Sequence, residues 1–514
     1  MMYPDYDAAP SPQPVYSAVD TVYAWLSLVL AFLFCQALPI AQYPLGGFLL
    51  ILALYATGFI ILRLKKLKLC PVCILSAVSS FVIGSSMLLT DTEFLMNLSL
   101  AYSLASYCYF LYAAFGNRIE EGFSDYIYID FIKILFIFPF RSLGSIFQAL
   151  SNRSTKRGSA LLLKILIGIG IALVPTLLVF SFLSYDRGFT HILEDIFSFD
   201  FGNIERIFTS FLFTLPLGMY GFGLYRSSQE KVLKDRMTAQ NCKEGLKKAQ
   251  ILPQSTALVA VFPVIFLYVV YFISQWRYYV SGFTGVLPEE FSYAEYARQG
   301  FFELCSVSVV NLVLIIGISF FIKRGKKESS VILKIITTLF CLCTLILIAT
   351  AVSKLVMYID FYGLTQKRIY ALWLMVVIGI VFLVIALGQF LRNLKVVAVS
   401  LTVTVLLFSA LSVCNVNALC ARYNTDRYLS GSLESFDLEA MEELGDSAIP
   451  SLVRLSNSLD SEKDSELKRQ IDALLVLEKW RFKNEDASVF SFSVPSAMAK
   501  AALEDYVVNA ANPD

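Results

Sequence analysis

Charged residues are scarce in this sequence, and histidine is almost absent. Only 16% of the 514 residues are Asp, Glu, Lys or Arg, and there is one histidine. Soluble domains carry roughly 25% charged residues, so this composition does not match an ordinary soluble protein. The near absence of histidine also argues against most metal-dependent membrane hydrolases, because imidazole is the commonest side-chain metal ligand.

An excess of charge of one sign is also missing. The net charge is +1, so no global basic field indicates a nucleic-acid partner. The first twenty residues are acidic and proline-rich and lack the basic n-region of a cleavable signal peptide, so we expect the first apolar stretch to be retained as a helix. Several of the ten cysteines lie in apolar segments, where they behave as small hydrophobic residues, and no disulfide framework is indicated.

Long apolar runs are what the sequence has in place of charge. Hydrophobic residues make up 57% of the chain, and runs of about 18 or more apolar residues are typical of bilayer-spanning helices. Continuous rather than alternating runs exclude barrel strands. We predict an all-α polytopic bundle of about eleven spans, at 21–39, 46–62, 73–90, 95–115, 159–183, 207–224, 255–274, 300–322, 331–352, 369–390 and 396–413.

Basic residues are concentrated in alternate loops. Those after the second, sixth, eighth and tenth predicted spans are rich in lysine and arginine, whereas 91–94 has none and 184–206 has more acidic than basic residues. Lys367 and Arg368 are the main exception. Since lysine and arginine are enriched in cytoplasmic loops, the pattern predicts a cytoplasmic N-terminus and, with eleven spans, an outer C-terminus.

The segment 126–150 is the main stretch that could change the predicted number of spans. It is apolar, but polar residues recur at helical spacing and Pro139 interrupts it. We expect an amphipathic helix on the inner membrane face. The alternative is a twelfth span, which would place the C-terminus inside.

The composition changes sharply after the last predicted span. Residues 422–514 contain ten basic and eighteen acidic residues, a net charge of −8, and no run of span length. Short amphipathic patterns predict a small bundle of helical hairpins. In the longest of these, Leu467, Ile471, Leu474 and Leu475 form one apolar face.

Cys70 and Cys73 form the one motif with metal or redox spacing. A closed zinc site needs four ligands, and the nearby sequence offers neither a second pair nor a histidine. A site shared with Cys242 or with a partner chain is the alternative to two thiols at the start of a helix. We expect no metal and no cofactor.

Charge inside a predicted span is expensive and therefore informative. Glu303 lies about one turn into the eighth span after Arg298, and Asn311 falls on roughly the same face. Lys354 is expected at a similar depth in the ninth span. These four residues are the candidate polar site. They form either an ion pair that locks two helices, which we favour, or a carboxylate linked to an ion or substrate.

Two stretches carry a family resemblance. The first runs from Phe291 to Leu304 and contains Tyr293, Tyr296, Gly300 and Phe301; the second contains Arg422, Tyr423, Asn424, Arg427 and Tyr428. With the segment 367–373, they resemble bacterial membrane proteins of domain of unknown function 4173. The resemblance runs from about residue 125 to the C-terminal bundle. It implies a bacterial cytoplasmic membrane and supplies no activity and no catalytic residue.

The predicted topology places both stretches at the outer face. Tyr293, Tyr296 and Phe301 would be interfacial aromatic residues above Glu303. We therefore expect the C-terminal domain to dock onto the loop between the seventh and eighth spans.

The sequence establishes no molecular activity. We expect a non-enzymatic membrane scaffold or sensor whose outer helical domain binds a protein partner or an envelope component. The alternative is a transporter or lipid-handling protein that uses Glu303 and proline-broken helices. The expected organisation is a disordered tail (1–20), a four-helix membrane segment (21–115), a cytoplasmic loop with an interfacial helix (116–158), a seven-helix membrane segment (159–414) and an acidic helical domain (415–514).

Overall fold

The computed structural model describes residues 16–38, 42–122, 124–151, 179, 183, 201–231, 238–274, 301–323, 327–391, 393–460, 464–484 and 488–506. This part of the chain is 83% helical and contains no β-strand, which confirms the all-α class. The helices as far as the last spanning one are α1 Ala18–Ala37, α2 Pro44–Leu64, α3 Pro71–Gly84, α4 Ser86–Leu89, α5 Glu93–Ala114, α6 Ile127–Ile132, α7 Phe138–Arg141, α8 Ser145–Ser151, α9 Phe201–Glu230, α10 Ala239–Ala249, α11 Gln254–Ser274, α12 Phe301–Phe321, α13 Lys327–Tyr362, α14 Gln366–Gly388 and α15 Val396–Val413.

Nine stretches of helix in the described residues are long and apolar enough to cross a membrane. They match nine of the eleven predicted spans: Ala18–Ala37, Pro44–Leu64, Pro71–Leu89, Glu93–Ala114, Gln254–Ser274, Glu303–Phe321, Val331–Tyr362, Gln366–Gly388 and Val396–Val413. The predicted fifth span, 159–183, lies almost wholly outside the described residues. The sixth, 207–224, lies within α9, whose 30 residues correspond to about 45 Å of helix. The polytopic helical architecture is therefore confirmed.

The first helix group consists of α1, α2, α3, α5 and α9, with the short helices α6 to α8 against it. Helix α1 packs along α9, and α3 packs along α5. The core of this group is rich in fully buried aromatic side chains, among them Tyr23, Tyr55, Phe110 and Phe222. Gly223 of α9 lies directly against the backbone of Pro139, so an alanine there would clash with a carbonyl group. Small residues of this kind allow close backbone approach in membrane bundles.

The second helix group consists of α11, α12, α13 and α14. Its core contains Phe340, Ala351, Met375 and Phe382, all of them buried. Helix α15 packs against α14 of this group and against α3 of the first group. It therefore connects the two groups within the membrane-spanning part of the molecule.

The segment 126–150 is broken into pieces rather than forming one helix. A π-helical stretch, Lys133–Ile137, follows α6, and α7 begins just before Pro139, which has no amide hydrogen to continue the helical ladder. A turn then separates α7 from α8.

The polar stripe of this segment faces the protein in its first half. Asp130 and Lys133 are buried against α5, where the Tyr112 hydroxyl donates to Asp130 Oδ1 at 2.7 Å. The Lys133 ammonium lies 3.6 Å from the same carboxylate. Phe136 and Phe140 are exposed instead. The local sequence does not show this polar partner on α5, and the expected position of the segment on the inner membrane face stays a prediction.

The helix ends collect into two opposite ends of the bundle. At one, which we call the basic end, the start of α1 meets the end of α2 and of α9, and Lys395 pairs with Glu120 at 3.4 Å. Also at this end, Leu252 bonds the backbone at the end of α12, and Asp125 caps the start of α15. The C-terminal domain lies at the opposite end of the bundle, which we call the domain end.

The C-terminal domain is a compact set of helices after α15. It comprises α16 Val416–Leu429, α17 Leu438–Glu442, α18 Ile449–Ser458, α19 Ser465–Asn484 and α20 Val494–Glu504, with 3-10 turns at Gly445–Ala448 and Val489–Ser491. In α19, Ile471 and Leu475 are fully buried, and Leu467 and Leu474 pack beside them. This is the apolar face that the sequence predicts for that helix.

Candidate functional site

A partly buried carboxylate, that of Asp91, joins the C-terminal domain to the turn between α4 and α5. Asp91 accepts hydrogen bonds from the Ser447 amide at 2.9 Å, the Ser447 hydroxyl at 3.0 Å and the Asn417 side-chain amide at 2.7 Å. Burial raises the pKa of the Asp91 carboxyl, and these three donors oppose that shift. Gly445 lies so close that an added Cβ would be 3.0 Å from Asp91 Oδ2.

Asn417 extends this network into the backbone of the domain. Its side chain donates to the Leu444 carbonyl at 3.0 Å and accepts from the Thr92 hydroxyl at 3.0 Å. Asn415 in turn donates to Ser447 Oγ at 2.9 Å. Ser447 and Asn417 therefore bond across the junction to Asp91 and Thr92, and the bonds to Asn415 and the Leu444 carbonyl hold these two side chains within the domain.

A second junction joins the domain to the turn between α13 and α14. The Asn424 side chain accepts from the Leu364 amide at 2.7 Å and donates to the Leu364 carbonyl at 2.9 Å. Gly363, at φ +78°, lets the turn approach, because a Cβ there would be 2.6 Å from Asn424 Oδ1. Arg368 donates to the Gly363 carbonyl and lies over the Tyr358 ring.

The other residues of the second stretch that carries the family resemblance, from Arg422 to Tyr428, support this junction unequally. Arg427 bridges Asp360 and the Tyr423 hydroxyl, both at 3.2 Å. Tyr428 turns into the domain and donates to Asp464 Oδ1 at 3.3 Å. Arg422 is exposed on the surface, 3.8 Å from a neighbouring carboxylate.

The first stretch that carries the family resemblance, from Phe291 to Leu304, falls mostly outside the described residues. Tyr293, Tyr296, Arg298 and Gly300 lie there, as does the loop onto which the domain is expected to dock. Phe301 is buried at the start of α12. Among the described residues, the contacts of the domain include the turns at 90–92 and 363–365, the start of α2 and helix α4.

The intramembrane polar residues divide into two sets. Glu303 is exposed in the first turn of α12, and its charge interacts with the buried Lys354 of α13. Asn311 points elsewhere: it accepts from the Tyr268 hydroxyl at 2.6 Å and donates to Thr344 Oγ1 at 3.0 Å. Asn311 therefore joins α11, α12 and α13 in a buried network separate from Glu303 and Lys354, whose interhelical ion pair stays a prediction.

The basic end contains an ionic cluster that sequence reasoning missed. Asp20 accepts from Lys65 Nζ at 2.8 Å, from the Tyr225 hydroxyl at 2.6 Å and from the Ser17 amide at 2.7 Å. Arg226 lies 4.0 Å from the same carboxylate. Asp20 is only 1% exposed, so the cluster binds α1, α2 and α9 together out of contact with solvent. The position of Asp20 at the start of an apolar run was the sequence feature that could have indicated this cluster.

Cys70 and Cys73 lie together at the start of α3, with both thiols free. The described residues contain no group of three or more His, Cys, Asp or Glu side chains arranged to hold a metal ion. Cys242 lies instead within the electrostatic reach of Asp130 and Lys133. The predicted alternative of a zinc site shared with Cys242 therefore has no support in the described residues.

Helix α19 has a second apolar face, which the sequence analysis did not identify. Val476, Leu477 and Trp480 lie three and four residues apart and are 48%, 61% and 66% exposed. This spacing places them on one side of the helix, away from Ile471 and Leu475. We call these three residues the exposed stripe. Exposed apolar patches of this kind mark interaction surfaces.

Together these features define a multi-pass α-helical membrane protein with a helical domain docked on one end of its bundle. A family model described as domain of unknown function (DUF4153) matches residues 73–455, and the chain belongs to this family. The expected membership of a family without an assigned activity is confirmed; domain of unknown function 4173 in particular is not confirmed. No curated protein and no solved structure matches the chain.

Proposed function

We propose that the protein is a non-enzymatic scaffold or sensor of the bacterial cytoplasmic membrane. Its N-terminus lies in the cytoplasm, and its C-terminal domain lies at the outer face and binds a protein partner or envelope component. The exposed stripe of α19 carries this proposal. The partner that fits it has an apolar contact surface, because the stripe itself is apolar and exposed.

The two junctions support a sensing role because they join the domain to both helix groups. Asp91 and Thr92 belong to the first group, and the Gly363–Leu364 turn belongs to the second. A partner that shifts the domain changes both contacts at once. Coupling of this kind requires only that the partner bind the two arrangements with different affinity.

The experiment is site-specific photo-crosslinking in intact cells. A photoreactive amino acid at Leu477 should give a discrete protein or envelope adduct, because the stripe is the contact surface. The control is Arg422 of α16, whose side chain is 76% exposed and lies on a different helix of the domain. Equal adducts at both positions, or adducts with lipid alone at Leu477, would overturn the proposal.

The proposed orientation has its own test. Alkaline phosphatase fused after Tyr428 should be active, since the enzyme folds only outside the cytoplasm. A fusion after Arg236, in the basic loop that follows α9, should be inactive. The reverse pattern would contradict the orientation and place the domain inside.

A transporter or lipid-handling protein is the second candidate. The observation that favours it is the buried network of Tyr268, Asn311 and Thr344 in the membrane-spanning part, together with Lys354 beside Glu303. Polar side chains at this position commonly mark substrate or ion pathways. Pro263 within α11 adds a backbone carbonyl that lacks its usual helical partner.

A further inference from the structure

A pair of thiols lies at the basic end, where α3 begins with the sequence Cys70-Pro71-Val72-Cys73. Cys70 is the N-cap residue and has extended backbone dihedral angles, and Pro71 occupies the first helical position. The Cys73 amide donates to the Cys70 sulfur at 3.3 Å. The Cys70 sulfur thus lies against the first turn that carries Cys73, and Cys-X-X-Cys pairs are the arrangement in which such thiols act in redox exchange.

The two sulfurs differ in their access to solvent. Cys73 is 0% exposed, and its thiol lies 3.9 Å from the Phe110 carbonyl of α5. Cys70 is partly exposed. One sulfur is therefore open to an incoming reagent, and the other lies behind it, protected from that reagent but within reach of its neighbour.

The surroundings of Cys70 favour its thiolate. A hydrogen bond from the Cys73 thiol lowers the pKa of the Cys70 thiol to about 6, helped by the Cys73 amide and the Arg118 cation and opposed by burial. The N-terminal end of α3 adds a partial positive charge. The preceding loop supplies Lys66 and Lys68. Partial exposure in a positive environment is the condition under which cysteine reacts as a nucleophile.

A structural metal site is the competing interpretation, and the described residues do not supply its ligands. Zinc in a closed site takes four ligands, whereas no third Cys, His, Asp or Glu side chain completes the pair. A capping role alone needs only one sulfur, at Cys70. It leaves unexplained why a second thiol lies buried against the first.

We propose that Cys70 and Cys73 are a redox-active dithiol that exchanges with a disulfide substrate at the basic end. The Cys70 thiolate attacks one sulfur of the substrate disulfide, forming a mixed disulfide and releasing the other sulfur as a thiolate. This released thiolate takes the proton of Cys73, and the Cys73 thiolate then attacks the Cys70 sulfur. This closes the Cys70–Cys73 disulfide and releases the second substrate sulfur. Two electrons pass from the pair to the substrate, which leaves as two thiols.

This site is independent of the scaffold or sensor function, because it lies at the opposite end of the bundle from the exposed stripe. If the basic end faces the cytoplasm, the glutathione pool keeps the resting pair reduced, as the structure shows it. A disulfide that reaches Cys70 is then the oxidant, and glutathione returns the pair to its reduced form.

The first test measures alkylation of the full-length, detergent-purified protein by iodoacetamide, with peptide mass spectrometry to separate the sites. At pH 6, Cys70 should react about tenfold faster than the exposed Cys414, since the larger thiolate fraction outweighs its lower intrinsic nucleophilicity. Its rate should rise with pH and level off above about pH 7. This measurement uses the natural chain and requires no variant to fold. Equal rates at the two cysteines would overturn the proposal.

The second test traps the intermediate with glutathione disulfide as the probe. The wild-type protein should form the Cys70–Cys73 disulfide, whereas Cys73→Ser should accumulate a glutathione adduct on Cys70. Cys70→Ser should form neither product, and Cys414→Ser should behave as wild type. Absence of the internal disulfide in the wild type, or one zinc ion retained per chain by the reduced pair, would contradict the exchange.

Discussion

Asp20→Ala should lower the free energy of unfolding by about 3 kcal/mol, because it leaves the partly buried Lys65 without a carboxylate, whereas Arg226 keeps Glu230 at 2.8 Å. Lys65 and Arg226 are only 15% and 8% exposed in their side chains, so water does not replace the lost partner. The Tyr225 hydroxyl loses its acceptor as well. The measurement is chemical denaturation in detergent micelles.

The control for Asp20 is the exposed pair at the same end of the bundle. Lys395 and Glu120 lie 3.4 Å apart with side chains 46% and 34% exposed, so Glu120→Ala should cost less than about 1 kcal/mol. Adding Lys65→Met to Asp20→Ala should recover part of the lost free energy of unfolding, since it removes the cation that has lost its carboxylate. A loss for Asp20→Ala no larger than that for Glu120→Ala would show that the cluster does not stabilise the fold.

Asp91→Ala should loosen the contact between the C-terminal domain and the first helix group, at a cost of about 3 kcal/mol. The Ser447 amide and the Asn417 side chain lose a partly buried acceptor in one step. The loss should be local, because Asn424 still holds the domain to the α13–α14 turn. Limited proteolysis should therefore cut the segment between α16 and α17 faster, while the spanning helices stay protected.

The pH dependence of Asp91 has a defined sign. Its pKa is raised in the folded protein, so the folded state binds the proton more tightly than the unfolded state does. The contribution of this group to stability is therefore full below the unfolded value of 3.8 and declines as the pH rises through the raised folded value. Asp91→Asn should abolish this decline. A decline that persists unchanged in the variant would assign it to another group.

The spanning helices were predictable because their signal is local. A run such as 396–413 is apolar from end to end, and only a helix satisfies its backbone in lipid. The buried face of α19 followed from the same kind of pattern, through Ile471 and Leu475. Each of these predictions needed only residues that are neighbours in the chain.

The polar contacts were not predictable in this way because their partners are distant in the chain. Asp91 and Ser447 are 356 residues apart, and Tyr225 and Asp20 are 205 apart. The polar residues of the segment 126–150 have the same limit, since the partner of Asp130 is Tyr112 on another helix. Spacing within a segment shows that polar groups share a face but not what that face meets.

The separation of the two helix ends makes membrane orientation a single binary choice. The start of α1 and the C-terminal domain lie at opposite ends of the bundle, each fixed by side-chain contacts to loops at its own end. The chain therefore crosses between Asp20 and Asn415 an odd number of times. One sidedness measurement at any described loop consequently determines the side of every other, including that of Cys70 and that of the exposed stripe.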